Sequence, residues 1–245
     1  DEQGNVGSSI GDLYLTPNSL APAATEDIIV TANLDSESTE VTGWAGTVPT
    51  THETASDEAT YSTSMTVYDS LGQSHEVIYY FQLTDAANNS WEYYATVDAG
   101  ETGGTPGEVE VAEWGQLDFD TDGSLLTLTQ NASNAITFTG ASTQTFAFDF
   151  GDPAAAGAEG ALTQYASTST VTGLEQDGFG AGDLIDWRID PDGTVRGVYS
   201  NGHEQVLGQV ALALFASADG LERAGDNLWM ATENAGAPLI GAASS

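Results

Sequence analysis

Residues 183–229 place the strongest constraint on what this chain can fold into. Apolar side chains recur at every second position, at Ile185, Trp187 and Ile189, which predicts a β-strand with one strongly apolar face. The sequence Asp-Pro-Asp-Gly follows at residues 190–193, where proline presets the backbone angle of a tight turn and glycine relieves its exit. The stretch therefore predicts antiparallel strands joined by short turns.

The continuation of this stretch predicts a three-strand meander. Residues 195–199 form the returning strand, and Asn201-Gly202 supplies the two positive-φ positions of a two-residue primed turn. Residues 206–215 then form the third strand. Residues 216–229 are punctuated by glycines, and we predict a loop there that is too long for a hairpin.

A second β-rich block begins near Met65 and runs to Phe150. Its strands are predicted from alternation, with turns at residues 69–72, at Asn88-Asn89 and at residues 120–123. Two neighbouring strands present the apolar faces Val77, Tyr79, Phe81, Leu83 and Trp91, Tyr93, Ala95, Val97, and Phe146, Phe148 and Phe150 close the block.

The remaining segments are less regular. We predict a strand at residues 28–34, a short strand at residues 12–16, and a polar loop at residues 36–60. The small-residue connector 151–161 is the one place where a weak helix is an alternative. No amphipathic 3.6-residue periodicity appears elsewhere, so the predicted fold class is all-β.

The charge balance excludes several classes of partner. The 245 residues include 37 acidic residues, three arginines and no lysine, a formal charge of -34. Nucleic acids and anionic membranes bind basic patches, so neither is an expected partner. Because salt screens the repulsion between acidic copies, we expect a saline, marine-type environment. The chain has no cysteine and no apolar run of membrane-spanning length, and no cofactor is predicted.

Two Asp-x-Asp-Gly sequences, at residues 120–123 and 190–193, resemble the opening of a calcium loop. The twelve-residue loop requires glycine at its sixth position and glutamate at its twelfth. Here glycine stands at the fourth position, and Asn131 and Asn201 occupy the twelfth. Both sequences are therefore predicted to be turns, and no metal site is predicted.

Catalytic groupings are weak. The histidines are His52, His75 and His203, each in or beside a predicted turn, and His75-Glu76 is the nearest approach to an acid/base pair. A hydrogen-bonding or solvated histidine is the preferred interpretation, and we predict no catalytic residue. Aromatic side chains on strands leave a carbohydrate-binding or adhesin module open as an alternative, with a carboxylate-pair hydrolase as a further rival.

Two separated motifs stand out in the sequence. One is the hairpin sequence of residues 65–75, followed by Tyr80-Phe81 and Trp91; the other covers residues 192–232. Together they resemble the bacterial flagellar hook protein family. The residues that carry the resemblance are Val67, Tyr68, Asp69, Ser70, Gly72, Asp192, Gly193, Tyr199, Asn201, Gly202, Gly208, Gln209, Phe215, Gly220, Leu221, Gly225, Asn227, Leu228 and Trp229. Flagellar rod proteins share the second motif, so a rod relative is an alternative that the first motif disfavours.

The resemblance implies an architecture that the strand pattern alone does not give. Residues 1–26 and 173–245 would belong to a discontinuous inner β domain, incomplete at its N-terminal side, and residues 27–172 to an inserted outer β domain. Both would be of barrel or sandwich type. The family's terminal helical regions are absent from this sequence, so the chain alone can be a monomer.

The resemblance also implies a structural, non-enzymatic role. The expected protein is a subunit of the extracellular flagellar hook, the curved tube that passes motor torque to the filament, exported without a cleaved signal peptide. Its expected partners are other copies of itself, the hook cap, the hook-filament junction proteins and the distal rod.

Overall fold

The computed structural model describes Gly11 and residues 19–152 and 159–242. The short strand predicted at residues 12–16 and the alanine run at the centre of the 151–161 connector lie outside the described residues.

The described chain is mostly β, with one short α-helix. The strands are β1 Asp27–Asp35, β2 Tyr61–Tyr68, β3 Ser74–Asp85, β4 Ser90–Asp98, β5 Val109–Phe119, β6 Leu125–Ser133, β7 Ala147–Asp149, β8 Ala161–Tyr165, β9 Thr170–Gln176, β10 Leu184–Ile189, β11 Thr194–Tyr199, β12 Glu204–Gln209, β13 Ala211–Leu214, β14 Leu221–Gly225, β15 Leu228–Ala231 and β16 Leu239–Ala242. The α-helix is α1 His52–Glu58, and 3-10 turns occur at Ala99–Glu101, Ala218–Gly220 and Glu233–Ala235. Within the described ranges, no helix is both long and apolar enough to cross a bilayer.

The chain separates into two compact units. Residues Ala21–Ala181 form the larger unit, and the residues up to Leu20 together with those from Gly182 onward form the smaller unit. The divisions fall close to, but not at, the domain boundaries predicted after residues 26 and 172. Strand β9 runs through the second predicted boundary and pairs with β1 inside the larger unit.

The larger unit is built on an antiparallel five-stranded sheet in the order β2-β3-β4-β5-β6. The two predicted apolar faces on β3 and β4 are confirmed, because every one of those eight side chains belongs to the main buried core. A second sheet packs on that core. Its central strand β1 pairs in parallel with β7 and β8 on one side and antiparallel with β9 on the other.

Phe146, Phe148 and Phe150 reach the core from a shorter strand than expected. Only residues 147–149 pair with β1, yet Phe146 and Phe150 are buried and Phe148 packs against the same cluster. Tyr93 and Phe150 meet edge to face with ring centroids 4.7 Å apart. The flanking aromatics are thus held by packing rather than by the strand ladder.

The outer face of the five-stranded sheet is covered by the segment between β1 and β2, which was predicted to be a loop throughout. That prediction is wrong for residues 52–58, which form α1. Thr51 caps the helix, its side chain accepting from the backbone N–H of Thr54. The helix buries a single alanine, Ala55, against Tyr80 and Tyr94, so it has no repeated apolar face that a sequence pattern could show.

Four hairpin turns share one geometry. In each, a glycine with positive φ donates its N–H to the carbonyl three residues earlier, at Asp69–Gly72, Asp120–Gly123, Asp190–Gly193 and Tyr199–Gly202. This is the arrangement of a three-residue hairpin loop in which a glycine follows a type I turn. Asn201 does not have positive φ, so the prediction of a two-residue primed turn at Asn201-Gly202 is wrong. The loop there has three residues instead of two.

The described residues of the smaller unit form three small sheets, β10-β11-β12, β13-β16 and β14-β15. The predicted third strand at residues 206–215 is interrupted: β12 ends at Gln209, Val210 donates to the Gly193 carbonyl at 2.8 Å, and β13 pairs with β16 instead. Bonding of Val210 to the preceding turn redirects the chain to a different sheet.

The segment predicted to be a loop too long for a hairpin does contain a hairpin. Strands β14 and β15 pair antiparallel through Asp226 and Asn227, whose φ values are 48° and 61°. Two successive positive φ values are characteristic of the primed turn that suits a two-residue hairpin. The primed turn expected at residues 201–202 therefore lies at residues 226–227.

Candidate functional site

The hairpin motif of the larger unit is organised around the Asp69 carboxylate. Asp69 is buried, and its Oδ1 accepts the backbone N–H groups of Leu71 at 2.8 Å and Gln73 at 2.9 Å. Gly72 has a φ of 81°, and a β-carbon there would lie 2.6 Å from the Cβ of Pro22. The motif requires aspartate and glycine here because one supplies the turn's acceptor and the other its backbone conformation and its close packing.

The other residues of this motif hold the hairpin in place. Val67 is fully buried in the main core. The N–H of Tyr68 donates to Thr25 Oγ1 at 3.0 Å, and its carbonyl accepts from the N–H of Thr25 at 2.9 Å. Ser70 Oγ accepts the N–H of Ser142 at 2.9 Å. Each contact is structural, joining the turn to neighbouring segments.

The meander motif of the smaller unit is held in the same way. Asp192 Oδ1 accepts the N–H of Thr194 at 2.9 Å, and the Gln209 amide donates to the Asp192 carbonyl at 3.0 Å. Tyr199 is buried, with its hydroxyl 3.3 Å from Gln205 Oε1. Gly208 pairs with Val195 across β11 and β12. The motif thus ties the third strand back to the first turn of the meander.

The exit motif has one buried anchor. A β-carbon on Gly220 would lie 2.4 Å from the backbone nitrogen of Ala235, and the Gly220 carbonyl accepts from the Thr232 hydroxyl at 2.7 Å. Phe215 is half-buried and Leu221 pairs with Ala231 at the far end of the β14-β15 hairpin. Within each unit, the motif residues stabilise turns and strand ends.

Charge in the smaller unit is concentrated around Asp190. Arg188 forms a bidentate pair with Glu204 at 2.6 and 2.8 Å and also contacts Asp190 at 3.3 Å, while Arg196 contacts Asp190 at 2.6 Å. Hydrogen bonds from Arg196 and then Arg188 hold the pKa of Asp190 below its ordinary value. Arg188 and Arg196 lie directly opposite each other on β10 and β11, so Asp190 separates two like charges.

Neither Asp-x-Asp-Gly sequence is arranged as a calcium loop, and the prediction that both are turns is confirmed. Gly123 donates to the Asp120 carbonyl at 3.0 Å, and Asp122 Oδ1 accepts from the N–H and hydroxyl of Ser124. In the other turn the carboxylates of Asp190 and Asp192 serve the arginines and Thr194. Their oxygens are engaged in local hydrogen bonds rather than directed at a shared centre.

The adjacent residues His75 and Glu76 do not form the acid/base pair considered from the sequence. Glu76 is exposed and accepts from the Ser64 hydroxyl at 2.5 Å. The buried His75 ring faces the opposite way, towards Asp69 and Glu101. Successive side chains of a strand point to opposite faces, which separates the two groups.

Two buried glutamates of the larger unit were not anticipated. Glu92 accepts the Ala45 N–H at 3.1 Å and the Tyr94 hydroxyl at 3.0 Å, which fixes the segment that covers the sheet. Glu113 accepts from Tyr93 at 2.7 Å inside the core. The only sequence signal is that both glutamates interrupt otherwise apolar strands.

The smaller unit exposes an unusual amount of apolar surface. The apolar face predicted for β10 is open, with Ile185 66%, Trp187 50% and Ile189 53% exposed. Arg223 lies over the exposed Trp229 ring at 5.4 Å. We call the exposed large apolar side chains of the smaller unit the apolar strand surface: Ile185, Trp187, Ile189, Val210, Leu212, Leu214, Leu228, Trp229, Met230, Leu239 and Ile240.

A cleft of about 810 Å³ in the larger unit is lined mainly by hydroxyl and amide side chains, among them Ser70, Ser133 and Gln144. Phe146, its aromatic residue, is buried. A carbohydrate platform requires an exposed aromatic face, so this cleft does not favour the sugar-binding alternative.

The described chain is thus a mostly β protein whose polar motif residues stabilise turns. Its distinctive feature is the exposed apolar strand surface of the smaller unit. Residues 33–179, more than half of the chain, match the family described as the flagellar basal body protein FlaE D2 domain. The chain therefore belongs to the FlaE D2 domain family, and the curated proteins that it resembles are flagellar hook proteins.

Curated relatives agree with this assignment. The flagellar hook protein FlgE of Treponema pallidum is 34% identical over 203 residues, covering 73% of this chain and 44% of the relative. The FlgE of Salmonella typhimurium is 35% identical over 182 residues, covering 74% and 42%. The chain therefore spans less than half the length of these relatives. A crystal structure of Helicobacter pylori FlgE2 aligns with 74% of this chain and 39% of its own, at 21% identity and a TM-score of 0.49.

Proposed function

We propose that this chain is part of a structural subunit of the flagellar hook, the extracellular tube that passes motor torque to the filament. The observation that carries the proposal is the family match over residues 33–179, supported by curated hook proteins at 34% and 35% identity. Its contribution would be mechanical rather than catalytic, in keeping with motif residues that hold turns and pack strands.

The proposed architecture is an inner β domain interrupted by an inserted outer β domain of barrel or sandwich type. The compact units support it, since the smaller unit contains chain from both sides of the larger one. The larger unit would contain the outer domain, for which we propose residues 27–172, with residues 1–26 and 173–245 in the inner domain. Its closed core suits a rigid body that keeps its shape while neighbouring subunits move.

We further propose that the inner domain is incomplete in this chain and that the longer protein covers the apolar strand surface with the first portion of that domain. The larger unit buries its core residues, whereas the smaller unit leaves Trp187, Leu214 and Trp229 about half exposed or more. Leaving such strands in water forfeits about 25 cal/mol per Å² of apolar area. The length of the relatives supplies the chain that could cover them.

The proposed partners are other copies of the subunit, the hook cap, the hook-filament junction proteins and the distal rod. The proposed route is export without a cleaved signal peptide, in a bacterium of a saline habitat. The charge of -34 supports the last point, because acidic copies packed into one tube repel each other less when salt screens them.

The location can be tested with antibodies raised against residues 21–181 and used for gold labelling of flagella from the source bacterium. Labelling is expected on the hook. Labelling confined to the filament, the rod or the cell surface would refute the proposal.

The coverage of the apolar strand surface can be tested by single cysteines, because the chain has none of its own. Leu214→Cys is expected to react with a water-soluble maleimide in this chain and to be protected in the longer protein. Leu126→Cys, on an exposed position of β6, is the matched control and should react in both. Equal reactivity of Leu214→Cys in the two proteins would show that another surface is covered.

A further inference from the structure

His75 lies between two carboxylates at one end of the larger unit. Its side chain is 3% exposed; Nδ1 is 2.7 Å from Glu101 Oε2 and Nε2 is 3.2 Å from Asp69 Oδ2. The ring stacks on Phe138 with centroids 3.6 Å apart and planes inclined by 9°. The ring is therefore held in one orientation, with each nitrogen facing an acidic oxygen.

This geometry determines how many protons the ring carries. A neutral imidazole has one N–H donor, whereas an ionised carboxylate only accepts. Both contacts can be hydrogen bonds to ionised carboxylates only if both ring nitrogens carry hydrogen. Although burial opposes it, hydrogen bonds from the Gln73 N–H, His75 and the Leu71 N–H keep the pKa of Asp69 below its ordinary value, which favours the ionised carboxylate.

The surrounding charge favours the same state. Residues 21–181 contain no lysine or arginine, so His52 and His75 are the only side chains of the larger unit that can carry positive charge. His52 contacts the Tyr80 hydroxyl and the Val97 carbonyl rather than a carboxylate. The titratable groups facing His75 are Asp69 from the β2-β3 turn and Glu101 from the 3-10 turn after β4. The segment that supplies Phe138 adds no charge.

We propose that His75, as an imidazolium ion, is a proton-dependent clamp that fastens the Asp69–Gly72 turn to the 3-10 turn Ala99–Glu101. The clamp does not depend on the proposed hook function. The Asp69 carboxylate links the turn to the His75 ring, because its Oδ1 accepts the N–H groups of the turn and its Oδ2 accepts from His75.

The clamped turn is also where the two chain ends of the larger unit pack. A β-carbon on Gly72 would lie 2.6 Å from Pro22 and 3.1 Å from the Cα of Gly180, so the turn touches both ends. The ends are themselves paired, with Ala23 and Phe179 exchanging two backbone hydrogen bonds. Loosening the turn removes the support beneath this pair.

The clamp is intact only within a pH window. When the pH rises enough for His75 to lose a proton, one of the two hydrogen bonds is lost. When the pH falls enough for Asp69 to gain a proton, its bonds to the turn and to His75 weaken. Protection of the turn should therefore be greatest between these two titrations and decline on either side.

The first test follows the ring nitrogens of the 245-residue chain by NMR from about pH 5 to about pH 9, the range in which histidine titrates. Both nitrogens of His75 are expected to show the shifts of a doubly protonated ring wherever in this range the Leu71 and Gln73 amides are most protected. The exposed His203 ring provides the internal comparison. A His75 ring that is singly protonated throughout this range would overturn the proposal without any variant being made.

The second test measures amide hydrogen exchange, corrected for the intrinsic rate, at Leu71 and Gln73. Protection is expected to fall about tenfold or more when His75 loses a proton, since a hydrogen bond to a charged partner contributes on that order. In His75→Gln the fall with rising pH should disappear, and in the control His203→Gln it should remain. Amides of Tyr80 and Tyr94, inside the sheet, should not respond.

Unchanged protection of Leu71 and Gln73 while His75 demonstrably titrates would mean that the ring does not hold the turn. If His75→Gln fails to fold, Glu101→Gln offers a second route, because it keeps the ring and removes one ionised acceptor. It should shift the loss of protection to lower pH. No shift would also contradict the clamp.

Discussion

The hydroxyl of Tyr93 donates to the carboxylate of Glu113 at 2.7 Å inside the core of the larger unit. Glu113 is 1% exposed and also accepts from the Gln130 amide. Burial raises its pKa above the ordinary value, although hydrogen bonds from Tyr93, Gln130 and Ser133 act in the opposite direction. The buried carboxyl thus holds its proton to a higher pH than the same group in the unfolded chain.

This pair predicts the sign of a pH dependence. The native state binds more protons than the unfolded state between the two pKa values of Glu113, so its contribution to stability falls as the pH rises through that window. Glu113→Gln removes the titration and keeps an acceptor for Tyr93. Urea unfolding at intervals from about pH 4 to about pH 7, which spans the ordinary glutamate range, should show a flatter profile for the variant.

The control for this prediction is Glu37→Gln, because Glu37 is exposed. It should follow the profile of the parent chain. A Glu113→Gln profile parallel to that of the parent would show that Glu113 does not titrate differently in the folded state.

Gly46 allows a steric prediction. Its φ is 86°, its N–H donates to the Tyr94 hydroxyl at 2.8 Å, and a β-carbon there would lie 2.7 Å from the Trp114 ring. Gly46→Ala should cost about 3 kcal/mol of unfolding free energy, combining backbone strain with displacement of the ring. Gly103 has a φ of 99° and nothing within 4 Å of its β-carbon position.

Gly103→Ala is therefore the matched control for Gly46→Ala, expected to cost only about 1 kcal/mol of backbone strain. Chemical denaturation followed by tryptophan fluorescence would compare the two variants. Equal losses would mean that the segment over the sheet does not press Gly46 against Trp114 in solution.

Two of the hairpin turns of the smaller unit, at Asn201 and at Asn227, predict opposite effects of the same substitution. Asn227 has a φ of 61°, so Asn227→Gly should relieve strain and stabilise the β14-β15 hairpin by up to about 1 kcal/mol. Asn201 lacks positive φ, and its Oδ1 accepts the His203 N–H at 3.1 Å. Asn201→Gly should therefore destabilise its turn by about 1 to 2 kcal/mol. Thermal unfolding followed by circular dichroism would compare the two variants. A more stable Asn201→Gly variant than Asn227→Gly variant would contradict the turn assignment.

The formal charge of -34 predicts a salt effect on stability. Raising sodium chloride from low concentration to about 0.5 M should raise the melting temperature, because screening weakens repulsion between carboxylates that few cations oppose. Differential scanning calorimetry with sodium chloride would measure the rise, and an equal osmolality of sucrose would control for excluded solute. No rise in salt beyond that in sucrose would mean that charge repulsion does not limit the fold.

Strong alternation predicted the core of the larger unit correctly. The alternating apolar side chains from Val77 to Leu83 and from Trp91 to Val97 are buried as expected, because a sheet that closes over one apolar core leaves that face no other environment. The same alternation on β10 predicted the strand but not its exposure. Periodicity shows that a face is apolar; whether other chain covers it depends on segments distant in sequence.

The turns show the same division between local and distant causes. Asp-Ser-Leu-Gly, Asp-Thr-Asp-Gly and Asp-Pro-Asp-Gly were identified as turns because their side chains and glycines act within four residues. Helix α1 was missed because it is defined by a Thr51 cap and by Ala55 packing under Tyr80 and Tyr94, residues on strands that follow it. The clamp at His75 was missed because Asp69 and Glu101 reach it from different loops.

By itself the sequence determined that this protein is built from β-strands and tight turns, that it resembles hook proteins, and that it carries almost no positive charge. These properties depend on residue type and on neighbours along the chain. Only the tertiary structure decided that Val210 ends β12, that β13 pairs with β16, and that His75 lies between two carboxylates. Strand partners and buried ion pairs depend on which distant segments meet, and many pairings satisfy the same alternation equally well.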